Sequence, residues 1–189
     1  MTDSTRPPRI PANATPEGDG VLVGDGPVHI DAFIDFLCPY CRQFELSADD
    51  TLAELASSGQ ASIAYHPMNF LDAASTTNYS TRAAAASGCA SDADRFAEYM
   101  HTLYVHQPPE GGAGLTDTEL ADLGRVVGLD ASAFTTCMAE SPYLEWPSYV
   151  TARALALGVE ATPTVLVAGA PVRPDPRAIL AAVSLAAAH

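Results

Sequence analysis

Val28-His29-Ile30-Asp31-Ala32-Phe33-Ile34-Asp35-Phe36 leads into Leu37-Cys38-Pro39-Tyr40-Cys41, and the reading of this stretch decides the fold. Val28, Ile30, Ala32, Ile34 and Phe36 alternate with His29, Asp31, Phe33 and Asp35. A period of two residues predicts a strand, with Phe33 leaving both faces partly apolar. After Cys41, residues 42–57 carry Phe44, Leu52 and Leu55 at helical spacing and stop near Gly59, which predicts a helix. The first backbone N–H groups of a helix are unpaired and carry partial positive charge. A thiol placed there loses its proton more easily, and the thiolate is the reactive form. Two cysteines separated by two residues can close a small disulfide ring at such a helix start. Strand, CPYC and helix in that order point to thiol–disulfide exchange, with Cys38 as the attacking sulfur.

Working outward, residues 1–20 read as a loose tail rich in proline, glycine and aspartate. Gly24-Asp25-Gly26-Pro27 is a turn. Residues 61–66 predict a second short strand, ended by Pro67. The middle then turns helical: residues 76–90 are Ala-rich, and residues 92–106 carry Phe96, Tyr99, Met100, Leu103 and Tyr104 on helical spacing. Residues 116–127 begin with Thr116 and Glu119 in a capping-box pattern, and residues 130–140 contain Cys137. A connector around Tyr143 and Trp146 leads to a helix ended by Gly158. Strands return at residues 164–167 and around Val172, before a C-terminal helix over residues 176–188. A β-α-β start requires a parallel pair with a right-handed crossover, and two late strands joined by a tight turn are antiparallel. The expectation is a mixed sheet with helices on both faces and an all-helical insertion.

Composition narrows the function. Nine basic against 23 acidic residues give a net charge of −14, which argues against nucleic acid and anionic membrane surfaces as partners. No apolar run is long enough to span a membrane, and the first 20 residues lack the apolar stretch of a signal peptide. As written, the chain reads as cytoplasmic; the alternative is an extracytoplasmic protein whose export signal or anchor is missing from this sequence. If Cys38 and Cys41 pair locally, only Cys89 and Cys137 remain to pair. The alternative is two ordinary buried thiols.

Phe33-Ile34-Asp35-Phe36-Leu37-Cys38-Pro39-Tyr40-Cys41 resembles the active-site segment of DsbA-like thiol–disulfide oxidoreductases of the thioredoxin superfamily. Ala154-Leu155-Ala156-Leu157-Gly158-Val159-Glu160-Ala161-Thr162-Pro163-Thr164 resembles the segment of that family whose proline is cis and lies beside the redox pair. The helical middle, especially residues 96–100 and 114–120, is similar to the family's insertion, and the likeness covers roughly residues 21–189. It implies an α/β thioredoxin fold, with residues 21–70 and 147–189 forming the thioredoxin-like part and residues 71–146 the insertion. It implies Cys38 as an exposed nucleophile and Cys41 as a more buried resolving thiol. Pro39 and Tyr40 tune the ring, while Thr162 and Pro163 offer backbone to an extended client. It also implies a structural Cys89–Cys137 bridge stapling the insertion. Many relatives carry a buried acid six residues before the first cysteine; that position is Ala32 here, so proton transfer to Cys41 relies on water. Asp31 points to the opposite face, and Asp35 matches the family's acid at its position, read most simply as a turn or cap.

The resulting expectation is an enzyme acting on protein thiol and disulfide clients, restored by an unidentified redox partner. No cofactor or metal is implied. No dimerisation module is visible, so the chain reads as a monomer. Two other readings stay open: a non-catalytic redox-sensing or chaperone-like module, and a reductase coupled to a low-molecular-weight thiol in the cytosol. A zinc scaffold through CPYC would need a second closely spaced cysteine pair. His66 reads as a surface or turn histidine, His101 and His106 need no function, and Phe96, Tyr99 and Tyr104 read as packing.

Overall fold

The computed structural model describes Pro7 and residues 9–188. Five strands, β1 (Val21–Val23), β2 (Val28–Ile34), β3 (Ala61–Pro67), β4 (Thr164–Val167) and β5 (Ala170–Val172), form one sheet in the order β1-β3-β2-β4-β5. β2 and β3 are parallel, with Ile30 opposite Ile63 and Ala32 opposite Tyr65. The other neighbours are antiparallel. The short β1 escapes the sequence reading because three residues carry no measurable alternation.

Helix α1 (Pro39–Ser57) is the crossover between β2 and β3. It buries Cys41, Phe44, Ala48, Leu52 and Leu55 on one stripe, the spacing expected of a helix laid on a sheet. Between β3 and the last two strands run α2 (Tyr79–Ser91), α3 (Phe96–Val105), α4 (Asp117–Val126), α5 (Ala131–Glu140) and α6 (Trp146–Ala156). A 3-10 turn at Asp72–Ala74 precedes α2, and α7 (Pro176–Ala186) ends the chain. Thr116 caps α4 with the reciprocal Glu119 bond of a capping box. Cys89 on α2 and Cys137 on α5 are joined by a disulfide. Among the described residues no helix is long and apolar enough to cross a membrane.

The N-terminal segment differs from the expected loose tail. Residues 1–6 and 8 lie outside the described residues. From Ala12 to Gly20, however, the chain is fastened to the body. Ala14 bridges to Val21, and the Ser91 hydroxyl donates to Ala12 O. The Trp146 indole N–H donates to Gly18 O and the Tyr149 hydroxyl to Glu17 O. Arg153 pairs with Asp19 at 2.6 Å. Apart from Val21, these partners are distant in sequence, so the local composition could not announce them.

Candidate active site

Cys38 ends the β2–α1 connection and occupies the N-cap of α1, with Pro39 starting the helix. Proline suits that position because its ring presets the backbone and no N–H is needed there. The sulfur therefore sits at the open end of the first turn. A hydrogen bond from the Cys41 thiol, one from the Thr162 side chain, and those from the backbone N–H groups of Cys41 and Tyr40 outweigh burial and hold the Cys38 thiol down to about 6. Cys41 goes the other way. It is fully buried, and burial, together with the bond its proton makes to Cys38, pushes it well above the ordinary thiol range. One sulfur of the pair is thus an anion at neutral pH and the other holds its proton.

The expectation of an exposed Cys38 is corrected. The residue is only 4 % exposed, because the Thr162–Pro163 segment before β4 lies against it. The protonated Cys38 thiol donates to Thr162 O at 3.3 Å, and the peptide between Thr162 and Pro163 is cis. That carbonyl favours the neutral thiol and so works against ionisation. Beside the sulfur, Pro39 is exposed and Tyr40 is 71 % exposed, so the surface rim of the site is the ring's own two middle residues.

Asp35 does more than the turn or cap read for it. Its Oδ1 accepts from Leu37 N–H (2.9 Å) and the Ser80 hydroxyl (2.7 Å), and its Oδ2 from Leu71 N–H (2.8 Å). The fully buried carboxylate therefore ties the redox loop to the loop after β3 and to α2. Its own N–H lies 3.5 Å from Cys41 Sγ. Burial pushes its pKa up to about 6, against the three donors. Asp35→Ala is expected to lower stability by about 3 kcal/mol, since it orphans buried donors, while Ser80→Ala should cost about 1 kcal/mol. Because the folded pKa lies above the ordinary 3.8, this carboxyl's contribution is full below about pH 4 and is lost as pH rises through about 6. Asp19 and Asp31, held below their ordinary values, act oppositely on acidification. Urea midpoints of wild type and Asp35→Asn between pH 4 and 7 isolate the Asp35 part: the wild-type curve should fall relative to the variant's.

Ala32, where relatives carry an acid, is buried in the core. Asp31 faces away, accepting from His29 and His66 at 3.1 Å each. His66 is neither at the surface nor at the redox pair. It is buried, stacks on Phe33 with ring centroids 4.3 Å apart, and meets Asp19 O at 2.7 Å. The parallel register that sets His66 opposite Phe33 is the cause.

Four further residues support the loop, and of these sequence reading gave a role only to Tyr104, as packing. Gln107 Nε2 donates to Phe36 O and Cys38 O, both at 2.9 Å. Tyr104 OH donates to Asp35 O, and Arg42 Nε donates to Tyr104 O. Ser80 is the fourth. Gln107 stands after α3 with no periodic signal to mark it. Ser80 was findable: with Ser87 and Ser91 it is a polar residue on the buried face of an Ala-rich helix, a place where a hydroxyl needs a partner. Cys89 and Cys137 are spent on each other, so they offer no thiolates to a shared zinc site with Cys38 and Cys41.

The five-stranded sheet, the helical run between β3 and β4, and a cysteine pair at the start of α1 define a thioredoxin fold of the DsbA-like kind. The chain belongs to the thioredoxin family, whose model, described as Thioredoxin, matches residues 18–183. Among solved structures it is similar to oxidised DsbA of Mycobacterium tuberculosis, with a TM-score of 0.77, 30 % identity, and 88 % of this chain and 92 % of that one covered. It is also similar to reduced DsbG, a disulfide bond oxidoreductase of M. tuberculosis, with a TM-score of 0.80, 30 % identity, and 93 % and 90 % covered. A curated relative, the serine/threonine-protein kinase PknE of M. tuberculosis, is 38 % identical over 126 residues, which is 62 % of this chain. The chain spans 22 % of the length of that relative.

Proposed function

We propose that this chain is a thiol–disulfide oxidoreductase that takes electrons from protein dithiols through Cys38 and Cys41. The observation that carries the proposal is the opposite displacement of the two thiols of one CxxC pair, one down to about 6 and the other up. In the oxidised pair, a client thiolate attacks Cys38 Sγ, the Cys38–Cys41 bond breaks, and Cys41 leaves and takes a proton from water. A second client thiolate then attacks the client sulfur of the mixed disulfide and expels Cys38 as a thiolate. Two client thiols become a disulfide, and the pair ends reduced by two electrons. A low leaving-group pKa speeds the second step. Thr162 and Pro163 are proposed to offer an edge to an extended client backbone. A redox partner must then accept the two electrons. A lasting Cys89–Cys137 bridge fits an oxidising compartment, which favours the extracytoplasmic alternative.

The magnitude of the thiolate effect is calculable. A Cys38 pKa lowered from 9.0 to about 6 stabilises the reduced form at pH 7 by about 1.4 kcal/mol, or about 30 mV for a two-electron couple. That is small beside the roughly 150 mV separating thioredoxin from a strong oxidant. Equilibration with a thiol buffer tests the direction. The proposal expects a potential above thioredoxin's value of about −270 mV. A value at or below it supports the thiol-coupled reductase instead. The near-complete burial of Cys38 favours a second reading, a redox-sensing binding module, which predicts that a peptide dithiol is bound without turnover.

A further inference from the structure

We propose that Glu45, Asp49 and His101 form a binding site for a divalent cation of the zinc class, bridging the redox helix α1 to α3. Glu45 is the buried member of the cluster. It is the single charged side chain on the buried stripe of α1, one helical turn beyond Cys41, and its side chain is only 2 % exposed. Among the described residues its one hydrogen-bond partner is His101, at a long 3.4 Å, through Oε1. Among the same residues its second carboxylate oxygen has no hydrogen-bond partner and no arginine meets it. A carboxylate buried to this degree is ordinarily paired or bound to a metal.

The geometry supplies what is missing. Asp49 follows Glu45 by four residues, so both carboxylates leave one face of α1. His101 reaches them from α3, with Nδ1 3.4 Å from Glu45 Oε1 and 3.2 Å from Asp49 Oδ2. One atom from each of the three side chains lies within 4.8 Å of the others. A zinc ion held at 2.0–2.1 Å puts neighbouring tetrahedral ligand atoms about 3.3 Å apart, and both histidine separations match that edge. Nδ1 carries at most one proton, which the two carboxylates must share. A cation binds all three at once. Asp49 and His101 are 40 % and 37 % exposed, which leaves an entry path and room for water as the fourth ligand. One imidazole with two carboxylates suits zinc better than calcium or magnesium, which prefer all-oxygen sites. The bound ion would clamp α1, the helix that carries the redox pair, onto α3.

Tag-free Cys38→Ser/Cys41→Ser protein removes competing thiolates and makes the test independent of the redox reading. Calorimetric titration with zinc sulfate is expected to show one zinc per chain and a raised thermal midpoint. His101→Ala and Asp49→Asn should each weaken binding at least about tenfold and abolish that rise. Asp49 is partly exposed, so its variant is expected to keep the metal-free midpoint. Absence of saturable zinc uptake overturns the site. So does unchanged affinity in both variants, which would move zinc elsewhere, for instance to His29, Asp31 and His66. Calcium binding as tight as zinc overturns the class of ion.

Discussion

Cys38→Ser is expected to lower disulfide transfer to a reduced client peptide by at least about 10³-fold, to the level of the uncatalysed exchange. The reason lies in the asymmetry at the head of α1: only Cys38 is held as an anion at neutral pH. The fully buried Cys41 is pushed toward its protonated form and cannot take over the attack. Cys41→Ser should fail differently. It keeps the reactive sulfur but has no second thiol to release a trapped partner, so mixed disulfides through Cys38 should accumulate. Mass spectrometry of the protein after exposure to a peptide disulfide distinguishes the two variants: an adduct on Cys41→Ser and none on Cys38→Ser. Equal turnover by wild type and Cys38→Ser would remove the enzyme reading and leave the binding module.

Removing the second cysteine pair should have the largest effect on stability. The Cys89–Cys137 bridge closes a separation of 48 residues, and constraining a loop of that size in the unfolded chain is worth about 4 kcal/mol in the chain-entropy model. The double variant Cys89→Ala/Cys137→Ala, compared with wild type with both redox pairs oxidised, should show that loss in urea unfolding. The damage should also be local. Phe134, packed edge-on against Tyr99 with centroids 5.2 Å apart, is the single fully buried side chain of α5. With so little apolar anchorage, α5 depends on the bridge, and its amides should exchange faster than those of α1 or β2. An unchanged urea midpoint would show that packing, not the cross-link, holds α2 and α5 together.

Much of this architecture could be read from local chemistry. The alternation of Val28 to Ile34, the capping box at Thr116, and the glycines closing helices all act within a few residues, and the corresponding elements lie within a few residues of where they are expected. The redox pair was legible for the same reason: cysteine spacing, strand and helix are contiguous. What escaped depends on contacts between distant segments. The N-terminal segment is held by Trp146, Tyr149 and Arg153, none of which is near it in sequence. Asp35 reads as a turn residue until Ser80 and Leu71 arrive from elsewhere to bond it. Gln107 is one polar residue in a loop until the fold brings its amide to the carbonyls of Phe36 and Cys38. The cover over Cys38 likewise comes from a segment 124 residues away. His101 seemed to need no function because the helical pattern of α3 does not show that Glu45 and Asp49 of α1 face it.

The central claim is that the fold makes the first sulfur of the pair unusually acidic. The most direct measurement is a pH titration of Cys38 by thiolate ultraviolet absorbance, with the oxidised protein as baseline. A transition near pH 6, absent in Cys38→Ser, is expected. A single transition close to 9, the value of an unperturbed thiol, would contradict it.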